Sequence, residues 1–183
     1  MSEIKKEIAR KSIHFTGLIY IPAYIYLGRE VVLLGIFAAL TFSAVFEVLR
    51  LKYGLLGAIA REYERNKIGA YIYFGIAAFF VTLFFPVDAC FASILVSILG
   101  DGVGGIIKRL NFPHSRLSAT IVMFLLPFLV SLLLLKPFPS LVACSAGAMV
   151  ERIERVRGHY LQDNITVPIT AAVAYYSVNY FLP

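Results

Sequence analysis

The sequence predicts an all-α polytopic integral membrane protein with about seven transmembrane helices. Three observations predict it. Of the 183 residues, 60% are hydrophobic and only 15% are charged, a balance that a soluble domain of this length does not carry. The mean hydropathy is +0.81. The charges are also grouped: 15 of the 17 Lys and Arg residues fall in the N-terminus and in every second connection between apolar segments. The positive-inside rule then places the N-terminus in the cytoplasm, and an odd number of spans puts the C-terminus outside. A net charge of +6 does not point to nucleic acid, because topology accounts for its placement. The N-terminal apolar segment lacks the small-residue cleavage site of a signal peptide.

The N-terminal stretch holds Lys5, Lys6, Arg10 and Lys11 against Glu3 and Glu7. A first span is expected over residues 12–27, closed by Gly28, and a second over residues 30–48. In the connection up to Lys67, Leu55, Leu56, Ile59 and Tyr63 share a helical face opposite Arg61, Glu62 and Arg65, the pattern of a helix lying on the membrane surface. The third span covers residues 69–85 and stops at Pro86. The fourth, residues 87–107, carries Asp101 within it. A short basic loop leads to a fifth span, residues 117–135, and the Lys136-Pro137-Phe138-Pro139 turn follows. The sixth apolar segment, residues 138–150, is short for a span and reads as tilted or partly re-entrant. The seventh is residues 165–182. No internal repeat or linker divides the chain, so a single domain over residues 1–183 is expected. Cys90 and Cys144 both lie in apolar segments and read as small apolar filling.

The chemistry is expected around Gly100-Asp101-Gly102. An aspartate in mid-span costs roughly 2.5–3.5 kcal/mol on insertion scales, and such residues mark functional sites. Asp101 lies about 10 Å along a helix from Lys108, within reach of the cytoplasmic border. Glu47, Glu151 and Asp163-Asn164 lie at the same border, and Arg10 stands one helical turn before His14. Each has a plainer alternative: Arg10 and Lys11 as topology anchors, Glu47 with Arg50 as an ion pair, Asp163-Asn164 as a helix cap, and Arg152, Arg155 and Arg157 as positive-inside charges. The glycines are not a dinucleotide-binding fingerprint, because no strand precedes them, and zinc-site, phosphate-loop and esterase motifs are absent. What remains is an anion site built from Arg and Lys beside a divalent cation held by carboxylates, for which Mg²⁺ has the right ligand preference.

Nearly the whole chain resembles the CTP-dependent lipid kinases: dolichol and other polyprenol kinases, phytol kinase and the CTP-using diacylglycerol kinases, which are related to phosphatidate cytidylyltransferases. Arg10-Lys11-Ser12-Ile13-His14 is similar to the family's Arg-Lys-x-x-His, and Glu47-Val48-Leu49-Arg50 to its Glu-x-x-Arg. Glu64-Arg65 with Gly69-Ala70-Tyr71 and Tyr73-Phe74 fits the loop into the third span. Leu99-Gly100-Asp101-Gly102, then Glu151, then Asp163-Asn164 through Pro168 follow the family order. The chain departs from the family's Lys-Ser-x-Glu-Gly stretch, where it reads His114-Ser115-Arg116-Leu117-Ser118-Ala119-Thr120; Arg116 stands in for the lysine's charge and nothing replaces the glutamate.

The resemblance implies phosphoryl transfer from CTP, or another nucleoside triphosphate, to the hydroxyl of a polyprenol, dolichol or diacylglycerol-type lipid. It implies catalytic roles for Asp101, Arg10 and Lys11. Nucleotide and phosphate contacts would come from Arg10, Lys11, His14, Gly100, Gly102, Arg116 and Asn164. Mg²⁺ would be held by Asp101, Glu47, Glu151 and Asp163. The expected partners are a lipid alcohol, the nucleotide and membrane lipids, and no nucleic acid, with the active site facing the cytoplasm. A cytidylyltransferase making a CDP-lipid is the nearest alternative, with Arg152 or Arg155 serving a lipid phosphate. A non-catalytic carrier or scaffold is the next, and the lack of inverted repeats counts against it.

Overall fold

A computed structural model describes residues 3–54, 67–110, 112–153, 155–156 and 159–181. Among the described residues the fold is helical apart from one two-residue antiparallel ladder. Its elements are α1 (Glu3–Phe15), a 3₁₀ turn (Thr16–Ile19), α2 (Tyr20–Tyr53), α3 (Ala70–Phe84) and α4 (Val87–Leu95). A π turn (Val96–Gly100), α5 (Asp101–Arg109), α6 (Ser115–Ser131) and α7 (Pro137–Glu151) follow. The ladder pairs β1 (Arg155–Val156) with β2 (His159–Tyr160), with Arg155 opposite Tyr160, and α8 (Asp163–Phe181) closes the chain.

Several element boundaries follow from local chemistry. Gly28, at φ 81 and ψ 171, interrupts α2 where the sequence closes its first span; a side chain there would be strained. Tyr53 is followed by Gly54 in the left-handed conformation that ends helices. Pro86 precedes α4 in extended geometry, and Pro137 opens α7, where a missing N–H costs nothing. The proposed surface helix around Leu55 to Arg65 lies outside the described residues, as do Asn111 and Arg157.

The run from α4 through α5 is the centre of the bundle. Ile94, Leu95, Val96 and Ile98 are almost wholly buried, and helices α3, α6, α7 and α8 pack around this run. The span expected over 87–107 is found as one helical run, Val87–Arg109, with the π turn inside it immediately before Asp101. A π turn holds one residue more than an α turn and recurs at functional sites.

Among the described residues, two helical runs are long and apolar enough to cross a membrane, Glu7–Tyr53 and Val87–Arg109. Helices α3 and α6 are apolar but shorter than that length. Helix α7, with 15 residues, is about 22 Å long, in keeping with the short sixth segment. The outer surface is apolar. On α6, Leu117, Ile121, Leu125 and Leu129 are all exposed at four-residue spacing, which makes a continuous stripe along one face.

Candidate functional site

Helix α1 brings a polar stripe to the bundle. Glu7, Arg10, Lys11 and His14 recur at the 3–4 residue spacing of one helical face, and α1 packs along α5. Lys11 Nζ donates to Asp101 Oδ2 at 2.6 Å. His14 Nε2 donates to the Ser97 carbonyl at 3.2 Å, inside the π turn, and stands 3.8 Å from Asp101 Oδ2. Its ring leans on Phe74, with centroids 5.4 Å apart. Glu7 is 1% exposed, pairs with Arg10 and lies 3.7 Å from Arg109 Nε. Lys108 pairs with Glu151. The Arg-Lys-x-x-His stretch and the Gly-Asp stretch, distant in sequence, are therefore one contact surface.

These groups open onto a cavity of about 1050 Å³. Arg10, Lys11, Arg50, Lys108, Arg109, Arg116 and Arg152 line it against the carboxylates of Glu7, Asp101, Glu151 and Asp163, so cations prevail. Its lining also includes Asn164 and, on an apolar flank, Ile13, Gly17, Ala39 and Phe74. Adjoining it is a small recess of about 10 Å³, room for one water-sized atom, lined by Phe74, Ser97, Asp101, Glu151, Asp163, Asn164, Val167 and Pro168. Asp163 Oδ1 accepts from its neighbour's backbone and side-chain amides, Asn164 N at 2.8 Å and Nδ2 at 2.9 Å. Burial pushes the Asp163 carboxyl above its ordinary range, and the charges of Asp101 and Glu151 push the same way.

Of the residues expected at the site, Arg10, Lys11, His14, Asp101, Arg116, Glu151, Asp163 and Asn164 all line the cavity. Three do not. Glu47 turns its carboxylate away into a closed cage. Its oxygens accept from Arg50 Nε and Nη2, each at 2.7 Å, from the Gly69 amide at 2.7 Å and from the Tyr71 hydroxyl. With its lone pairs taken, it holds the end of α2 to the start of α3 and offers nothing to a metal. Gly100 and Gly102 do not face a phosphate either. A Cβ on Gly100 would stand 3.0 Å from the Met123 carbonyl oxygen of α6, and one on Gly102 would stand 2.7 Å from the Phe15 ring. Gly104 likewise faces the Ala119 carbonyl, so these glycines let α6 and α1 close on α5. Gly105, beside Lys11, is the glycine of the group that lines the cavity.

For a divalent cation the donor chemistry fits: Asp101, Glu151, Asp163 and Asn164 present oxygen ligands to one recess. Among the described residues no three acidic, His or Cys side chains already converge to hold an ion. Glu7 was absent from the expected site, although its i, i+3, i+4 and i+7 relation to Arg10, Lys11 and His14 announces it. Ser97 was absent too, and no sequence pattern marks it. No family model matches the chain, and no curated protein or solved structure matches it either.

Proposed function

We propose that the chain is a multi-pass membrane lipid kinase, with its N-terminus and active site on the cytoplasmic side, that moves a phosphoryl group from CTP to the hydroxyl of a polyprenol, dolichol or diacylglycerol-type lipid. One observation carries the proposal: a single cavity joins a cationic end to an apolar flank. Ala39 and Arg50 both line it, and they lie 11 residues apart on α2, about 16 Å along the helix axis. A polyanionic nucleotide suits the first end, and the tail of an amphiphile suits the flank. The exposed leucine and isoleucine stripe on α6 supports a lipid surround, since a water-exposed face of that kind is an association hazard.

Phosphoryl transfer asks a protein mainly for positioning and charge neutralisation. Arg10, Arg109 and Arg116 would bind the triphosphate, and Lys11, held beside Asp101, would bridge phosphate and carboxylate. Asp101, Glu151 and Asp163, with Asn164, would hold Mg²⁺, which supplies neutralisation of the nucleotide oxygens when bound. His14 fixes the π turn through the Ser97 carbonyl. The acceptor oxygen bonds to the terminal phosphorus, the bond to the departing CDP oxygen breaks, and the hydroxyl proton is released.

The same cavity holds Arg152, and a further cation is what a lipid-phosphate acceptor would need. A CDP-lipid-forming cytidylyltransferase is therefore the second reading. One experiment separates them: purified protein, Mg²⁺ and a lipid panel with CTP labelled either in its terminal phosphate or in its cytidine. Terminal label in a lipid is the expected result. Cytidine label in a lipid establishes the second reading, and no labelled lipid from CTP or ATP defeats both.

A further inference from the structure

The small recess beside Asp101 contains a polar atom with nothing to bind. Ser97 is 4% exposed, and its Oγ is buried with no hydrogen-bond partner among the described residues. A buried hydroxyl left unsatisfied is costly, so such an atom calls for an explanation. Its backbone is already engaged through the His14 ring, which fixes where the side chain sits. Around it the recess mixes polar and apolar lining: Asp101, Glu151, Asp163 and Asn164 with Phe74, Val167 and Pro168. Phe74, Asp101, Asp163 and Asn164 also line the large cavity, so the two spaces share a wall.

We infer that the Ser97 recess receives the hydroxyl oxygen of the acceptor alcohol, with Ser97 Oγ hydrogen-bonded to it and the carbons leaving past Phe74 into the large cavity. This rests on the phosphoryl-transfer reading above. A bare cation fits the Ser97 end less well: Phe74, Val167 and Pro168 also line the recess, and no three acidic, His or Cys side chains converge to hold an ion among the described residues. An alcohol uses both kinds of lining. Its oxygen both donates and accepts, as the serine hydroxyl does, and its first carbons need apolar walls. From Phe74 the tail continues along Gly17 and Ala39, the apolar flank of the large cavity. Ser97 in these terms binds the acceptor directly and selects lipids that end in a free hydroxyl.

The test compares wild type with Ser97→Ala, and with Ser97→Cys, which keeps the volume, in case the alanine variant fails to fold. Steady-state transfer is measured against acceptor, nucleotide and Mg²⁺ in turn. The acceptor KM should rise about tenfold, the worth of one neutral hydrogen bond, with the nucleotide KM and the Mg²⁺ dependence unchanged. An unchanged acceptor KM, or a shift confined to nucleotide or Mg²⁺, overturns the inference. A second readout does not require turnover: a short isoprenoid alcohol should raise the melting temperature of the detergent-solubilised wild type more than that of Ser97→Ala. Equal shifts, or none in wild type, also overturn it. If wild type phosphorylates no alcohol yet shows the differential melting shift, the kinase reading falls and the Ser97 site stands.

Discussion

Two acid–base pairs stand at the same end of the bundle and are built in opposite ways. Glu47 and Arg50 are neighbours on α2, with side chains 7% and 6% exposed. A bidentate contact, a backbone amide and the Tyr71 hydroxyl complete the glutamate, while Arg50 Nη2 also reaches the Lys67 carbonyl at 2.6 Å. Lys11 and Asp101 come from helices 90 residues apart, and the Asp101 side chain keeps 27% of its surface exposed toward the cavity. The two pairs look alike in sequence, a carboxylate and a cation at an apolar border. The first has used its valence on structure. The second leaves part of its carboxylate exposed where an entering group can reach it. The role of a carboxylate at such an apolar border is set by how much of it the cavity can reach.

That contrast can be broken. Glu47→Ala should be the most damaging change to the fold, leaving the Arg50 guanidinium buried without its main counterion at a cost of about 3–5 kcal/mol; a melting temperature in detergent close to wild type would show that the cage is not structural. Asp101→Asn should do the reverse. Transfer should fall by about 10²–10³-fold while melting stays within a few degrees, and full turnover would remove Asp101 from the mechanism. Gly102→Ala tests the packing role of the glycines: pressing a methyl group on the Phe15 ring should cost about 1–3 kcal/mol, read as an earlier thermal transition. Tyr71→Phe deletes one donor to Glu47 and should cost about 1 kcal/mol with the acceptor KM unchanged. The smallest effect is expected at exposed Arg116, where Arg116→Gln should raise the nucleotide KM by about threefold at low salt and less at high salt.

Much of the fold was legible because glycine and proline punctuate it. Gly28, Pro86 and Pro137 end or begin segments where their φ values or missing donors require. The alignment of Arg10, Lys11, His14, Asp101, Glu151 and Asp163 at one end was legible too, because Lys and Arg placement sorts helix ends into two sets. Three things were not. The π turn depends on how α6 and α8 pack on residues 96–100, and no local pattern encodes it. Gly100, Gly102 and Gly104 read as space for a ligand or for a helix, and only the positions of Met123, Phe15 and Ala119 decide for the helix. Glu47 read as a metal ligand because its cage is completed by Gly69 and Tyr71, more than 20 residues away.

The π turn at Val96–Gly100 also fixes a phase. An α-helix advances about 100° per residue, and the extra residue in this turn sets α5 out of step with α4. Relaxing the segment into uninterrupted α-helix at unchanged length would undo that adjustment and carry α5 further around its axis. The α4 half would keep its neighbours, while Asp101 would swing by about a quarter of a turn away from Lys11. The span would still be apolar, and its composition would barely change. This short stretch is therefore a place where winding matters more than identity: substitutions at its lining positions tune the site, but loss of the π turn would disengage the carboxylate from Lys11.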